Sequence, residues 1–319
     1  MIGAMSEPTT RPYPPVPTSV SPQAQKFLAT YERRVTEPPA LDDVDAWLAN
    51  VALGDKYLME RFGAVEFPLI VDDTEIAGVH TYVLRAEDVP DRPETPIFLD
   101  IHGGALVMGA GEACRRMASV NAVVNNMITW APDYRMPPLH PYPAALDDCM
   151  AVYRALLAER DPADIFVEGA SAGGNLAAAL LARAKDEGLP LPAALVLISP
   201  EVDLTESGDS FQTNLGIDNV LGLLMQTNLL YANGHDLAHP YLSPLFADVT
   251  GFPPTFLQCG TRDLFLSNTA RMHRKLRAAG VEAELHVFEA MPHGGFGGAP
   301  EDIEVRAEMR RFLDKHRRR

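Results

Sequence analysis

Between residues 167 and 177 the chain reads VEGASAGGNLA, with Ser171 framed by Gly169 and Gly173 where an apolar run passes into an alanine-rich, helix-forming segment. A tight turn at that junction would force the serine into a strained backbone conformation. Its hydroxyl would then stand clear of a sheet, with small neighbours that leave room for a reactant. That is one way to build a nucleophile, although the same residues also suit an ordinary glycine-rich turn. Three further segments carry groups that such a nucleophile needs. His102-Gly103-Gly104-Ala105 follows PIFLDI, Arg262-Asp263 follows PTFLQCGT, and His293-Gly294-Gly295 follows AELHVFEAMP. Serine, acid and histidine come in the order Ser…Asp…His, each after a different apolar run.

Those runs belong to a regular alternation. EFPLIVD and GVHTYVLR read as strands, as do PIFLDIH, MITWAPDY, DIFVEGA, AALVLISP, PTFLQCG and AELHVFE. Helical segments lie between most of them, around 113–126, 144–159, 172–187, 268–279 and 301–316. Apolar strands alternating with helices specify a parallel sheet covered on both faces. Active sites of such sheets gather at the carboxyl ends of the strands, which puts His102, Ser171, Asp263 and His293 on one edge. Residues 204–245 interrupt the rhythm with a helix-like NVLGLLMQTNLLYANG and no clear strand, so they read as an insertion after the sixth or seventh strand. Residues 6–22 hold six prolines and are expected to be extended or flexible. Ser21-Pro22 then starts a helix with the stripe Ala24, Phe27, Leu28 and Tyr31, and a second stripe, Val44, Trp47, Leu48 and Val51, marks another. No internal repeat occurs.

Composition narrows the function. The 319 residues are 47% hydrophobic, ample for one large core, and carry a net charge of −16. Such a surface repels polyanions, which argues against nucleic acid and anionic membrane as partners. The basic end His316-Arg317-Arg318-Arg319 reads as a solvated helix terminus. Cys114, Cys149 and Cys259 form neither a disulfide framework nor a zinc motif, and read as small hydrophobes in a reducing compartment. No secretory signal and no 18-residue apolar run is visible, so a soluble, cytoplasmic chain without cofactor or metal is expected.

In DIHGGALVMG, DYRMPPLHPYPAALDD, EGASAGGNLAAALLARAKDEG, YLSPLFADVTGFPPTFLQCGTRDLF and RAAGVEAELHVFEAMPHGG, order and spacing match as well as residue types. Through them the chain resembles the hormone-sensitive-lipase-like branch of the α/β-hydrolase carboxylesterases, from about residue 20 onward. The resemblance implies an α/β-hydrolase fold, a mostly parallel central sheet flanked by helices, with a helical cap. Residues 1–62 would supply cap helices after a flexible proline-rich lead, 63–203 and 246–319 the hydrolase core, and 204–245 a cap insertion.

Acyl-transfer chemistry assigns the roles. Ser171 attacks a carbonyl, His293 takes and returns the proton, and Asp263 holds His293 and stabilises its cation. The backbone amides of Gly103, Gly104 and Ala172 receive the oxyanion. Asp203, after the preceding strand, rivals Asp263, which the family pattern favours. His102 would brace the oxyanion loop beside the substrate. His80 and His140 read as structural, and Tyr134 and Arg135 as support for the floor of the site. Phe27, Trp47, Leu48, Leu224 and Tyr231 are candidates to line the pocket or to fasten cap to core. The expected reaction is hydrolysis of short- to medium-chain esters, a small-molecule substrate, with room for a homodimer. A lactone or amide hydrolase on the same residues, and a non-catalytic receptor, are the alternatives. Three positions depart from the family pattern: Ala170 and Leu139 stand where acids are usual, and Ala105 where glycine is. The two apolar replacements would empty a polar network behind the nucleophile as a unit, and the Ala105 methyl would crowd the oxyanion loop.

Overall fold

The computed structural model describes residues 13–30, 37–62 and 66–318. Eight strands form one sheet in the order β1-β2-β4-β3-β5-β6-β7-β8. They are β1 (Leu69–Ile76), β2 (Val79–Ala86), β3 (Ile97–Ile101), β4 (Ile128–Pro132), β5 (Ile165–Ala170), β6 (Ala194–Ile198), β7 (Thr255–Gly260) and β8 (Ala283–Phe288). All eight fall where apolar runs predict them. β2 is antiparallel to both β1 and β4, and every pairing from β4 to β8 is parallel.

Parallel strands need covering on both faces, and the period of two in their side chains sorts the core into two layers. Ile97, Leu99, Val167, Leu195, Leu197 and Leu257 point into the larger cluster. It is closed by α4 (Ala144–Glu159), α5 (Ala172–Asp186) and α8 (Leu266–Ala278). Phe98, Phe166, Val196 and Phe256 point the other way, against Met309, Phe312 and Leu313 of α9 (Pro300–His316). On that same face α3 (Glu112–Asn125) packs beside α9. The face therefore also receives Asp100 and Glu168, register partners on β3 and β5. Asn121 of α3 donates to both carboxylates, at 3.1 and 2.7 Å. Burial raises both acids, Asp100 to about 6.

Two helices precede the sheet. The apolar side of α1 (Pro22–Thr30) is buried, Ala24 and Leu28 against Met291, Phe296 and Ala299. Ser21 fastens its start by donating from backbone and hydroxyl to Glu301. Tyr31, expected in its stripe, lies outside the described residues. The proline-rich stretch is irregular backbone from Tyr13 to Val16, yet Arg262 donates to the Pro15 carbonyl and lies over the Tyr13 ring.

The second helix, α2 (Val44–Phe62), corrects the sequence reading in its facing. Of the expected stripe only Trp47 is buried, while Val44 and Leu48 are 43% and 40% exposed. The inward side runs instead through Trp47, Val51, Gly54, Asp55 and Leu58. The reason is what it packs on: Gly54 sits so close to Met108 that a Cβ would strike its side chain. Asp55 accepts a hydrogen bond from the Gly109 amide at 2.7 Å, and Arg61 donates to the Gly294 carbonyl at 2.6 Å. One helix thus joins the loops that carry His102-Gly103-Gly104 and His293.

The insertion follows the sixth strand and holds α6 (Ser210–Thr213) and α7 (Met225–Ala232). It is less helical than NVLGLLMQTNLLYANG suggests, because the Asp218 carboxylate binds the amides of Val220 and Leu221 and delays the helix. Among the described residues no helix is long and apolar enough to cross a membrane.

Candidate active site

Ser171 sits between β5 and α5 with φ 58° and ψ −121°, a strained conformation for a residue with a Cβ. Its flanking glycines are required by close approach. A Cβ on Gly169 would strike the Gly173 carbonyl, and one on Gly173 the Ile101 carbonyl. The turn is tied down by the Ser171 amide on the Ile198 carbonyl, 2.8 Å, and by the Glu201 amide on the Ser171 carbonyl, 3.1 Å.

The loops after β7 and β8 bring the other two groups to it. His293 Nε2 lies 2.9 Å from Ser171 Oγ, and His293 Nδ1 lies 3.2 Å from Asp263 Oδ1. With a carboxylate on Nδ1, the neutral ring carries its proton there and presents a lone pair to the serine. The Phe265 ring stands edge-on to His293 at 5.0 Å, and its amide donates to Asp263 Oδ1 at 2.8 Å. Asp263 is fully buried and His293 nearly so.

Gly103 passes directly beneath the serine, where a Cβ would come 2.9 Å from the Ala170 carbonyl and 3.3 Å from Ser171 Cβ. The loop closes through the amides of Val107 and Met108 on the Gly104 carbonyl. Among the described residues no acceptor takes the amides of Gly103, Gly104 or Ala172. Ala105 and Leu106 both adopt positive φ, 53° and 63°, so the alanine that replaces the usual glycine sits in the left-handed region. His102 braces this loop rather than facing an open pocket. It is buried, stacks on Tyr134 at 4.1 Å, and places Nδ1 2.8 Å from the Gly103 carbonyl. Burial lowers its pKa, so the ring is neutral. The Tyr134 hydroxyl donates to the His102 carbonyl, and Arg135 forks onto Asp148.

Asp203 lies outside this line. Its two oxygens are taken by Thr205, Ser207 and Arg271, and these bonds outweigh burial to hold its carboxyl below the usual range. The pocket candidates divide. Phe27 packs edge-on against Phe296 at 6.0 Å, and Leu224 packs against the cluster of Phe211, Leu264 and Phe265. Leu48 faces solvent, and Tyr231 is fully buried in the main core against Tyr142. Leu139 is 63% exposed, so no buried network is emptied there. Asp100, Asn121 and Glu168 form a polar network on the β3–β5 side of the sheet that α3 and α9 cover.

His80, which has no partner in the sequence pattern, bridges Asp73 and Asp133. Metal ligation was not expected from the sequence, yet the fold gathers His102, Cys114 and Asp133 with ligand atoms within 4.8 Å of one another. Both Asp133 oxygens are also engaged, by the Gly111 amide and His80.

Two buried acids escaped the sequence reading. Asp218 of the insertion accepts the Leu264 amide in the loop after β7. Glu201 follows β6, donates its amide to Ser171, and has neither carboxylate oxygen hydrogen-bonded. Burial pushes the Glu201 carboxyl up to about 8, with the charges of Glu206 and Asp203 adding to the rise. Between 4.5 and about 8 the native chain therefore holds a proton that the unfolded chain has lost. This contribution to stability is fully present below pH 4.5 and is lost as pH rises through about 8, at about 1.4 kcal/mol per pH unit. Glu201→Gln, isosteric and neutral, is expected to melt close to the wild type at pH 5 and well above it at pH 8.5. Thermal denaturation at both pH values checks this, and parallel losses in the two proteins would refute it.

Residues 98–296 match the family described as alpha/beta hydrolase fold. An esterase of Acinetobacter venetianus is 33% identical over 220 residues, covering 68% of this chain and 71% of that protein. The crystal structure of esterase E25 superposes with a TM-score of 0.83 at 35% identity, covering 100% of this chain and 99% of that one. An esterase from the bacterial hormone-sensitive lipase family superposes with a TM-score of 0.82 at 32% identity, covering 93% and 98%.

Proposed function

The chain belongs to the alpha/beta hydrolase fold family, in its bacterial hormone-sensitive-lipase-like branch of esterases, and on that premise we propose that it hydrolyses carboxylic esters through an acyl-serine intermediate on Ser171. The observation that carries the reading is the line Ser171 Oγ–His293 Nε2–His293 Nδ1–Asp263 Oδ1, with gaps of 2.9 and 3.2 Å.

A serine hydroxyl is a weak nucleophile at neutral pH. His293 Nε2 takes its proton as Oγ bonds to the ester carbonyl carbon, and Asp263 stabilises the resulting imidazolium. The carbonyl oxygen becomes an oxyanion, received by the amides of Gly103, Gly104 and Ala172. Those amides belong to the backbone, the last at the positive end of α5, and donors fixed in this way need little reorganisation. When the tetrahedral species collapses, the imidazolium gives its proton to the departing alkoxide and an alcohol leaves. Water then repeats the sequence against the acyl-serine, releasing the carboxylic acid and restoring Ser171. His293 stands within hydrogen-bonding reach of the serine, which supports catalysis over a receptor that only binds.

The cap sets the acyl preference. Asp55 ties α2 to the loop after β3 and Arg61 ties it to the loop after β8, which supports a reading in which α2 roofs the strand ends and limits the length of chain that fits. With p-nitrophenyl esters from acetyl to dodecanoyl, kcat/KM is expected to peak at short to medium chains. Asp55→Ala leaves the Gly109 amide without its acceptor, and is expected to lower kcat on the acetyl ester about tenfold or more while weakening the chain-length discrimination. An enzyme that prefers dodecanoyl esters, or an Asp55→Ala variant with unchanged selectivity, overturns this role of α2.

A further inference from the structure

The loop that carries Asp263 is held largely by the insertion. Asn214 donates from its carboxamide to the carbonyls of Thr261 and Asp263, at 3.1 and 2.8 Å. Ser210 donates its hydroxyl to the Leu264 carbonyl at 2.7 Å and exchanges two further bonds with Ser267, each 2.9 Å. At the centre of this clamp is Asp218, 1% exposed. Its Oδ2 accepts the Leu264 amide at 2.8 Å, one residue past the catalytic acid, and its Oδ1 accepts the amides of Val220 and Leu221.

We propose that Asp218 is a positioning residue for the reaction: it fixes the acid loop through Leu264 and places a second buried negative charge beside the Asp263–His293 pair. The proposal rests on the reading of Ser171, His293 and Asp263 given above. Three backbone amides converge on its two oxygens, a set that only an acceptor-only group satisfies at both ends, and an asparagine would turn an NH2 against one of them. Burial raises the Asp218 carboxyl to about 6, with the Asp263 charge adding to the rise and His293 opposing it, so the group is ionised at neutral pH. No cation lies within ion-pair distance of it among the described residues. Arg262 turns to Pro15 and Tyr13, Arg271 to Asp203, and Arg61 to Gly294, while Glu206 accepts the Leu224 amide. The charge of Asp218 therefore acts on the catalytic pair without a counter-ion of its own, and favours the imidazolium formed as Ser171 gives up its proton.

The test compares Asp218→Asn with wild type on p-nitrophenyl butyrate across pH 5–9. The expected result is a fall in kcat of about tenfold or more, the effect of losing a charged hydrogen-bond partner, with KM little changed. The acidic limb of kcat/KM is expected to move to lower pH, because a missing negative charge disfavours the protonated imidazole. A purely structural role would lower the melting temperature and leave that limb in place, and this outcome overturns the proposal. Asp218→Ser, smaller than aspartate and without its charge, is read in the same way if the asparagine variant does not fold. Failure of both to fold assigns Asp218 to the core and overturns the proposal as well. Failure here is distinguishable from failure of the triad reading. An active Ser171→Ala or Asp263→Asn variant removes the premise, whereas an inactive Ser171→Ala beside a normal Asp218→Asn removes this inference alone.

Discussion

Ser171→Ala is expected to abolish ester hydrolysis, with kcat falling by about six orders of magnitude, the size of loss seen when a serine nucleophile is removed. The fold is expected to survive. Among the described residues the Ser171 side chain hydrogen-bonds to His293 alone, while the turn around it is held by backbone bonds to Ile198, Gly174 and Glu201 that alanine preserves. The positive φ of 58° is strained for serine and alanine alike, so the melting temperature is expected to change by only a few degrees. Turnover is best measured after titration with a fluorophosphonate that labels the wild type stoichiometrically, because traces of native enzyme imitate residual activity. A variant that retains more than a small fraction of kcat with no labelling at position 171 would sink the nucleophile assignment.

The second large effect concerns the acid. Asp263 Oδ1 receives both the Phe265 amide and the His293 ring, and a neutral amide in its place stabilises no imidazolium. Asp263→Asn is expected to lower kcat by about four orders of magnitude while the protein stays folded. Asp203→Asn serves as the comparison. Its two oxygens serve Thr205, Ser207 and Arg271, and replacing it leaves the Arg271 guanidinium without its carboxylate. That variant is expected to lose stability rather than chemistry. The Asp203 carboxyl is held below its unfolded value, so its contribution is present above the ordinary carboxylate range and is lost as pH falls through the folded pKa. Circular dichroism and kcat measured on the same preparations separate the two effects. A well-folded Asp203→Asn with crippled turnover beside a nearly normal Asp263→Asn would reverse the assignment.

The sequence by itself determined the eight strands, their alternation with helices, and the strained turn at Ser171. These follow from short-range causes: a side-chain period of two, apolar runs bounded by turn residues, and glycines without which backbone would strike backbone. It also placed His102, Ser171, Asp263 and His293 after different strands, since a parallel sheet delivers every strand's carboxyl end to one edge. What lay beyond it depends on contacts between segments far apart in the chain. Two aspartates follow neighbouring strands; the family pattern favours Asp263, but no short-range physical cause separates it from Asp203. Only the tertiary structure leaves Asp263 facing His293 while Thr205, Ser207 and Arg271 surround Asp203. The stripe on α2 misled because Gly54 and Asp55, neither of them apolar anchors, decide which side of that helix meets the loop at Met108 and Gly109. Tyr231 reads as a cap aromatic, yet the return of the insertion onto the sheet buries it beside Tyr142. Asp218 and Glu201 carry no motif at all. A carboxylate becomes informative when burial and its neighbours set its charge, and both belong to the folded chain alone.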